Sequence, residues 1–238
     1  MRRSYRRQRG LFVGIRGQSN AVGGGTEART SIYAVPYQQL VYLDPDQLTS
    51  YQAQWGPTAT RPVNHQGAEF GFADTSIADG AALTLDKWAV SGSAIEMWLP
   101  SAGTLYPQSL AYSITSRNTC PGWRNYDAMF WWQGEADAGS LSDAANYGTH
   151  LGTLANAWRT DLQNPNLIVC AVRLRADSPM PYTAEERASL EAWGASNPVL
   201  NRWVNVDDLP VKPDGIHYDW ESLEIAGTRG YNKIVYNT

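Results

Sequence analysis

Short apolar runs recur along the chain with longer, helix-patterned segments between them, and this alternation restricts the fold more than any other feature. The runs are LFVGI at 11–15, LDKWAV at 85–90, DAMFWW at 127–132, LIVCAV at 167–172 and RWVNV at 202–206, each bounded by polar or glycine-containing stretches. Runs of that length with little polar alternation suit strands covered on both faces. Helical spacing fills 68–81, 141–162, a segment opening at Thr183, and 220–235. In the second of these, Leu151, Leu154, Ala155 and Trp158 share one face. Thr183 followed three residues on by Glu186 has the form of a capping box. Strand and helix in turn predict an α/β fold, a three-layer α/β/α sandwich on a mostly parallel five-stranded sheet.

A chain of 238 residues buries roughly 70–75% of its unfolded surface as one domain, so its core needs neither disulfide nor metal. That domain is expected over 11–238, behind a basic tail at 1–10 that carries Arg2, Arg3, Arg6, Arg7 and Arg9. The apolar run after the tail is broken by Gly14 and stops at Arg16, short of the ~7–15 residues of a signal-peptide core. No stretch approaches a membrane span. The expected location is therefore cytoplasmic by default, with a virion component as the alternative. The 26–66 segment is polar, aromatic and turn-rich, and is read as a loop insertion overhanging the ligand crevice.

A formal net charge of −4 excludes a chain built to grip a phosphate backbone, so no nucleic-acid partner is expected. Cys120 and Cys170 form no Cys-x-x-Cys or Cys/His spacing, which leaves no structural zinc site. Whether they pair stays open, although Cys170 in LIVCAV reads as a buried small hydrophobe. Ten tryptophans and thirteen tyrosines stand against four phenylalanines. Rings with a polar handle in that excess read as a cleft for a polar ring.

Three histidines shorten the search for a general base. His150 falls in a helical segment and His65 in the loop before one. His217 stands in KPDGIHYDW three residues after Asp214, a spacing that lets carboxylate and imidazole leave one tight loop side by side. By itself such a pair also fits a plain surface loop. Ser19, in GIRGQSNAVGGG directly after the first strand, matches it as a nucleophile, because flanking glycines let the backbone turn and present the hydroxyl at the sheet edge. The glycines are not a phosphate loop, since neither G-K-[ST] nor G-x-G-x-x-G is present.

GQSNA around Ser19, WWQGEADA at 131–138 and DGIHYD at 214–219 resemble, in order and spacing, blocks of the SGNH hydrolase superfamily. More narrowly they are similar to its sialate O-acetylesterase-like and plant-type acetyl xylan esterase branch. VSGSAIEMW at 90–98 and GAEFGFAD at 67–74 look like two further blocks, so the resemblance runs over nearly the whole chain. It implies a serine esterase that removes short acyl groups from a carbohydrate without a cofactor or metal. Ser19 would be the nucleophile, His217 the base and Asp214 its orienting acid. The backbone N–H groups of Ser19 and Gly92 and the side-chain amide of Gln133 would bind the oxyanion. Gln18, Asn20, Glu135 and Asp137 would tie down the surrounding loops, with Trp98 and His65 toward substrate. Trp55, Trp123, Arg124, Tyr218 and Trp220 are further candidates for a sugar cleft. Ala21 and Ala136 depart from the branch, where methionine and serine are frequent, which puts the acyl-pocket shape in doubt. Two alternatives stay open: a lipid or thioester hydrolase of the same fold, and a non-catalytic glycan-binding part of a larger appendage such as a phage tail.

Overall fold

The computed structural model describes residues 10–23, 38–42, 67–81, 83–119 and 125–238. Each predicted apolar run becomes a strand: β1 (Leu11–Gly17), β3 (Leu83–Ala89), β4 (Ala128–Trp132), β5 (Ile168–Val172) and β6 (Asn201–Val204). Another, β2 (Gln38–Tyr42), comes from within the segment read as a loop insertion. The remainder of that segment, with His65 and Trp55, lies outside the described residues, as do the 1–9 tail, Cys120, Trp123 and Arg124. The strands form one six-stranded sheet in the order β2-β3-β1-β4-β5-β6, and every neighbouring pair is parallel.

Helices cover both faces, which is why the strands carry apolar residues on alternate sides. Met129 and Trp131 of β4 enter one core, while Phe130 and Trp132 enter the other. The first core is closed by α3 (Tyr106–Thr119), α4 (Leu141–Asp161) and α5 (Thr183–Ser196), through Tyr112, Leu154 and Leu190. The second is closed by α2 (Glu69–Ala78) and α6 (Trp220–Val235), through Phe72 and Leu223. These two helices touch backbone to backbone, since a Cβ on Gly71 would lie 1.8 Å from Glu224 O and one on Gly227 1.8 Å from Ala68 O. Cys170 is buried with a free thiol, which burial pushes up to about 12.

No apolar stripe predicts α3, because the face it buries is made largely of hydroxyls: Ser109, Ser113 and Ser116. The reason lies in the sheet. Arg16 of β1 is fully buried against Asp86 of β3 at 2.8 Å, and its other amine reaches Ser113 Oγ at 2.7 Å. A buried guanidinium needs acceptors, and at Ser113 the helix above it supplies one in place of hydrocarbon.

The register brings the chemistry to one edge. Gly17 at the end of β1 is paired with Ala89 at the end of β3 and with Trp132 at the end of β4. The residues just beyond these three ends, including Ser19, Gly92 and Gln133, therefore emerge together at the carboxyl edge. There the chain has wound outward from β1 in both directions, the switch point at which open α/β sheets bind ligands.

Candidate active site

Ser19 begins a single helical turn, α1 (Ser19–Val22), immediately after β1. Gln18 donates its N–H to Trp132 O at 2.9 Å, which fixes the turn against β4. His217 and Asp214 arrive on the loop between β6 and α6. A bridge between Val211 and Tyr218 and a 2.7 Å bond from Lys212 N–H to His217 O close the neck of that loop. His217 Nε2 lies 2.9 Å from Ser19 Oγ, and His217 Nδ1 lies 2.8 Å from Asp214 Oδ2. Asp214 Oδ1 accepts from the N–H groups of Ile216 at 2.8 Å and His217 at 2.9 Å. Partial desolvation raises the Asp214 pKa, but these hydrogen bonds outweigh it and hold the carboxyl at about 2. A carboxylate fixed in this way presents a permanent acceptor to Nδ1–H and leaves Nε2 to take a proton from the hydroxyl.

Gly92 stands opposite, in the turn after β3, with φ of +70°. A Cβ there would meet nothing within 4 Å, so space is open on that side. Among the described residues, the N–H groups of Ser19 and Gly92 donate to no protein acceptor. Unpaired backbone donors at the edge of the Ser19 turn suit an oxygen that gains negative charge.

Beneath them is a hydrogen-bonded layer in which Gln133 Oε1 is buried without a partner. Glu135, buried, accepts from Gln18 Nε2 and from Asn20 Nδ2, each at 2.6 Å. Asn20 Nδ2 also reaches Ile216 O at 3.1 Å, and Asn20 Oδ1 accepts from Tyr218 N–H at 3.3 Å. The Ser19 turn and the His217 loop are thus joined through Asn20, which Glu135 holds in place. Burial pushes the Glu135 carboxyl up, against the pull of its hydrogen bonds. Gln133 is fully buried, and its Nε2 donates to Ser93 O at 3.0 Å and to Asp137. Asp137 also accepts from Ile95 N–H, so it anchors the segment that follows Gly92. Burial likewise raises Asp137.

Three expectations are corrected. Trp98 does not line a cleft: it is fully buried, edge-on to Trp88 and Trp131, with its N–H on Ser93 Oγ at 2.9 Å. Tyr218 is buried against Trp132 and is likewise no sugar platform. The capping box at Thr183 is also absent, because Tyr182 is the residue before α5 and no side chain caps it. Glu186 turns inward instead, fully buried beside Gly134, with neither carboxylate oxygen hydrogen-bonded. Only its spacing, four and seven residues before Leu190 and Trp193, hinted at an inward face. Among the described residues, no group of three or more His, Cys, Asp or Glu side chains is placed to hold a metal ion. No helix there is long and apolar enough to cross a membrane.

Comparison with known proteins follows the same lines. The family model described as "SASA: Carbohydrate esterase, sialic acid-specific acetylesterase" matches residues 9–235. A probable carbohydrate esterase of Arabidopsis thaliana is 30% identical over 144 residues, 60% of this chain and 52% of the relative. The match thus spans about half the length of that relative. A solved Arabidopsis thaliana structure aligns with a TM-score of 0.75 at 24% identity, covering 96% of this chain and 99% of the other. A carbohydrate acetylesterase from Xanthomonas citri aligns at 0.66 and 17% identity, covering 96% and 57%. The protein NanS aligns at 0.69 and 14% identity, covering 94% and 96%. At these identities the structural likeness is one of fold.

Proposed function

Since the chain belongs to the SASA family of carbohydrate esterases, sialic acid-specific acetylesterase, we propose that it is a serine esterase that removes O-acetyl groups from a carbohydrate. The observation that carries this reading is the unbroken chain from Ser19 Oγ through His217 to Asp214, with contacts of 2.9 and 2.8 Å. Ser19 Oγ attacks the ester carbonyl as His217 Nε2 takes its proton. The tetrahedral intermediate places its oxyanion toward the N–H groups of Ser19 and Gly92. Collapse breaks the bond to the sugar oxygen, which leaves with the proton held by His217. Water, deprotonated by the same imidazole, then cleaves the acetyl-serine and restores the hydroxyl. These steps use only protein groups and water.

Gln133 has a qualified place in this scheme. Its Nε2 faces the acceptors Ser93 O and Asp137, with Gln18 Oε1 farther off at 3.4 Å, so both amide hydrogens are engaged and hold the Gly92 turn in place. It joins the oxyanion hole only by exchanging one of those acceptors for the substrate oxygen. Gln18, Asn20, Glu135 and Asp137 act by holding the two catalytic segments at fixed separation.

Turnover of 4-nitrophenyl acetate tests the assignment. Ser19→Ala is expected to lower kcat by about 10⁵–10⁶-fold, as loss of a triad nucleophile does. A rate within about threefold of the unaltered protein removes Ser19 from the mechanism. Acetate release from acetylated xylans, acetylated sialosides and bacterial O-antigens then identifies the glycan.

A further inference from the structure

The loop that delivers His217 starts from an unusually strong fastening at Asp207, seven residues before Asp214. Asp207 Oδ1 accepts from Arg187 Nη1 at 2.7 Å and from Ala176 N–H at 2.9 Å. Its Oδ2 accepts from Arg173 Nη2 at 2.9 Å and from Arg187 Nη2 at 3.1 Å. Burial raises the Asp207 carboxyl, but the hydrogen bond from Arg187 and its companions prevail and keep it below the usual carboxylate range. Arg173 Nη1 also pairs with Glu191 of α5, so two guanidinium groups meet two carboxylates in one balanced network, and their planar forks fix direction as well as charge.

The donors come from two sides, α5 and the segment that follows β5. Arg187 is the fifth residue of α5 and also donates to Leu174 O. Arg173 follows β5, lies 4.4 Å over the Trp203 ring of β6, and donates to Asn205 Oδ1 at 2.9 Å. Arg175, two residues on, reaches Leu209 O at 2.7 Å. The start of the histidine loop is therefore bolted to α5 and to the end of β5 by three arginines, none of which touches Ser19, His217 or Asp214.

We infer that Asp207, clamped by Arg173 and Arg187, is a positioning residue for the reaction, setting where the loop places His217 against Ser19. The inference rests on the esterase reading above. The imidazole must stay within ~0.5 Å of its working position, and a shift of 1 Å from a remote change can cost about 10²-fold in rate. Asp208, next in the chain, supplies the contrast. It is 64% exposed and pairs with Arg229 alone, on the surface beside α6.

The test compares Asp207→Asn with Asp208→Asn, using 4-nitrophenyl acetate turnover, thermal melting, and the downfield proton NMR signal of the His217 imidazole against Asp214. For Asp207→Asn, kcat is expected to fall by about 10–100-fold with KM within about twofold. The protein should remain folded at the assay temperature, and the downfield signal should broaden or vanish. Asp208→Asn is expected to keep kcat within about twofold and to retain the signal. If Asp207→Asn does not fold, Arg187→Lys replaces it, keeping the charge and losing the fork, with an intermediate loss of kcat expected. Unchanged kcat and an unchanged signal in Asp207→Asn, or equal losses in both aspartate variants, overturn the inference. Equal turnover by the unaltered protein and Ser19→Ala would instead reject the esterase reading, and the imidazole signal would still decide the positioning.

Discussion

Gly92 holds a left-handed turn at φ +70° with open space where a side chain would go, so a substitution there acts through the backbone and not through a clash. An L-residue in that region costs about 1–2 kcal/mol. Gly92→Ala is therefore expected to lower Tm by only a few degrees, at roughly 2–4 °C per kcal/mol for a chain of this size. The rate should respond far more. A turn that relaxes to negative φ swings the Gly92 N–H away from the oxyanion, and loss of one such donor costs on the order of 10²–10³ in kcat. Melting and 4-nitrophenyl acetate kinetics on one preparation separate the two effects. A kcat within twofold would remove Gly92 from the oxyanion site. At this scale the sequence was legible where a residue type has one chemical use. Asp214 and His217 could be paired because their spacing fits one tight loop, and Ser19 because glycines flank it. Trp98 was misread because motif position does not say which way an indole faces. Asp207 carried no signal, since its arginine partners lie 20 and 34 positions away.

Helices α2 and α6 meet through glycine, and the contact has no slack. A Cβ on Gly227 would sit 1.8 Å from Ala68 O, which is backbone and cannot rotate aside. Gly227→Ala must push the helices apart, and overpacking of that kind costs typically about 1–3 kcal/mol. The expected loss is several degrees of Tm, while Gly139→Ala, whose Cβ would meet nothing within 4 Å, should leave Tm nearly unchanged. Equal melting temperatures for the two variants would show that the helix contact is not as close as the structure has it. The same glycines explain why α6 was readable as one helix: they interrupt propensity, not period. β4 and β5 were legible because both their faces are apolar, and β1, β3 and β6 because short apolar runs survive around Arg16, Asp86 and Arg202. β2 was hidden within a polar, turn-rich stretch, where edge position removes the need for a continuous apolar run. α3 was hidden because Arg16 takes a hydroxyl, at Ser113, from the helix above it.

At the scale of the whole molecule, most of the described tryptophans lie inside, and a set of carboxyls with them. Trp88, Trp98, Trp131, Trp132, Trp158 and Trp193 are all buried, so among the described residues the surplus of indoles is mainly core, not a sugar cleft as composition had indicated. Glu135, Asp137 and Glu186 share that interior, and desolvation raises all three carboxyls. Glu186 is the extreme. It faces Glu135 and Asp137 from the segment after β4, Tyr147 from α4, and Arg173 and Arg187 only at a distance that forms no hydrogen bond. A carboxyl whose folded pKa lies above its unfolded value near 4.3 contributes stability that is complete below that value and is lost as pH rises through the folded pKa. Asp214 and Asp208, held at about 2, act in the opposite sense, and their contribution disappears only in strong acid. Stability should therefore decline on the alkaline side, with Glu186 the largest contributor. Glu186→Gln keeps the shape and removes the titration, so its Tm should exceed that of the unaltered protein at pH 8, by roughly 2–4 °C for each kcal/mol recovered. At pH 4 the unfolded glutamate is itself mostly protonated, and the difference between the two proteins should nearly vanish. Melting curves at both pH values decide the matter: a Tm difference of the same size and sign at pH 4 and pH 8 would mean that the carboxyl is not held neutral in the fold.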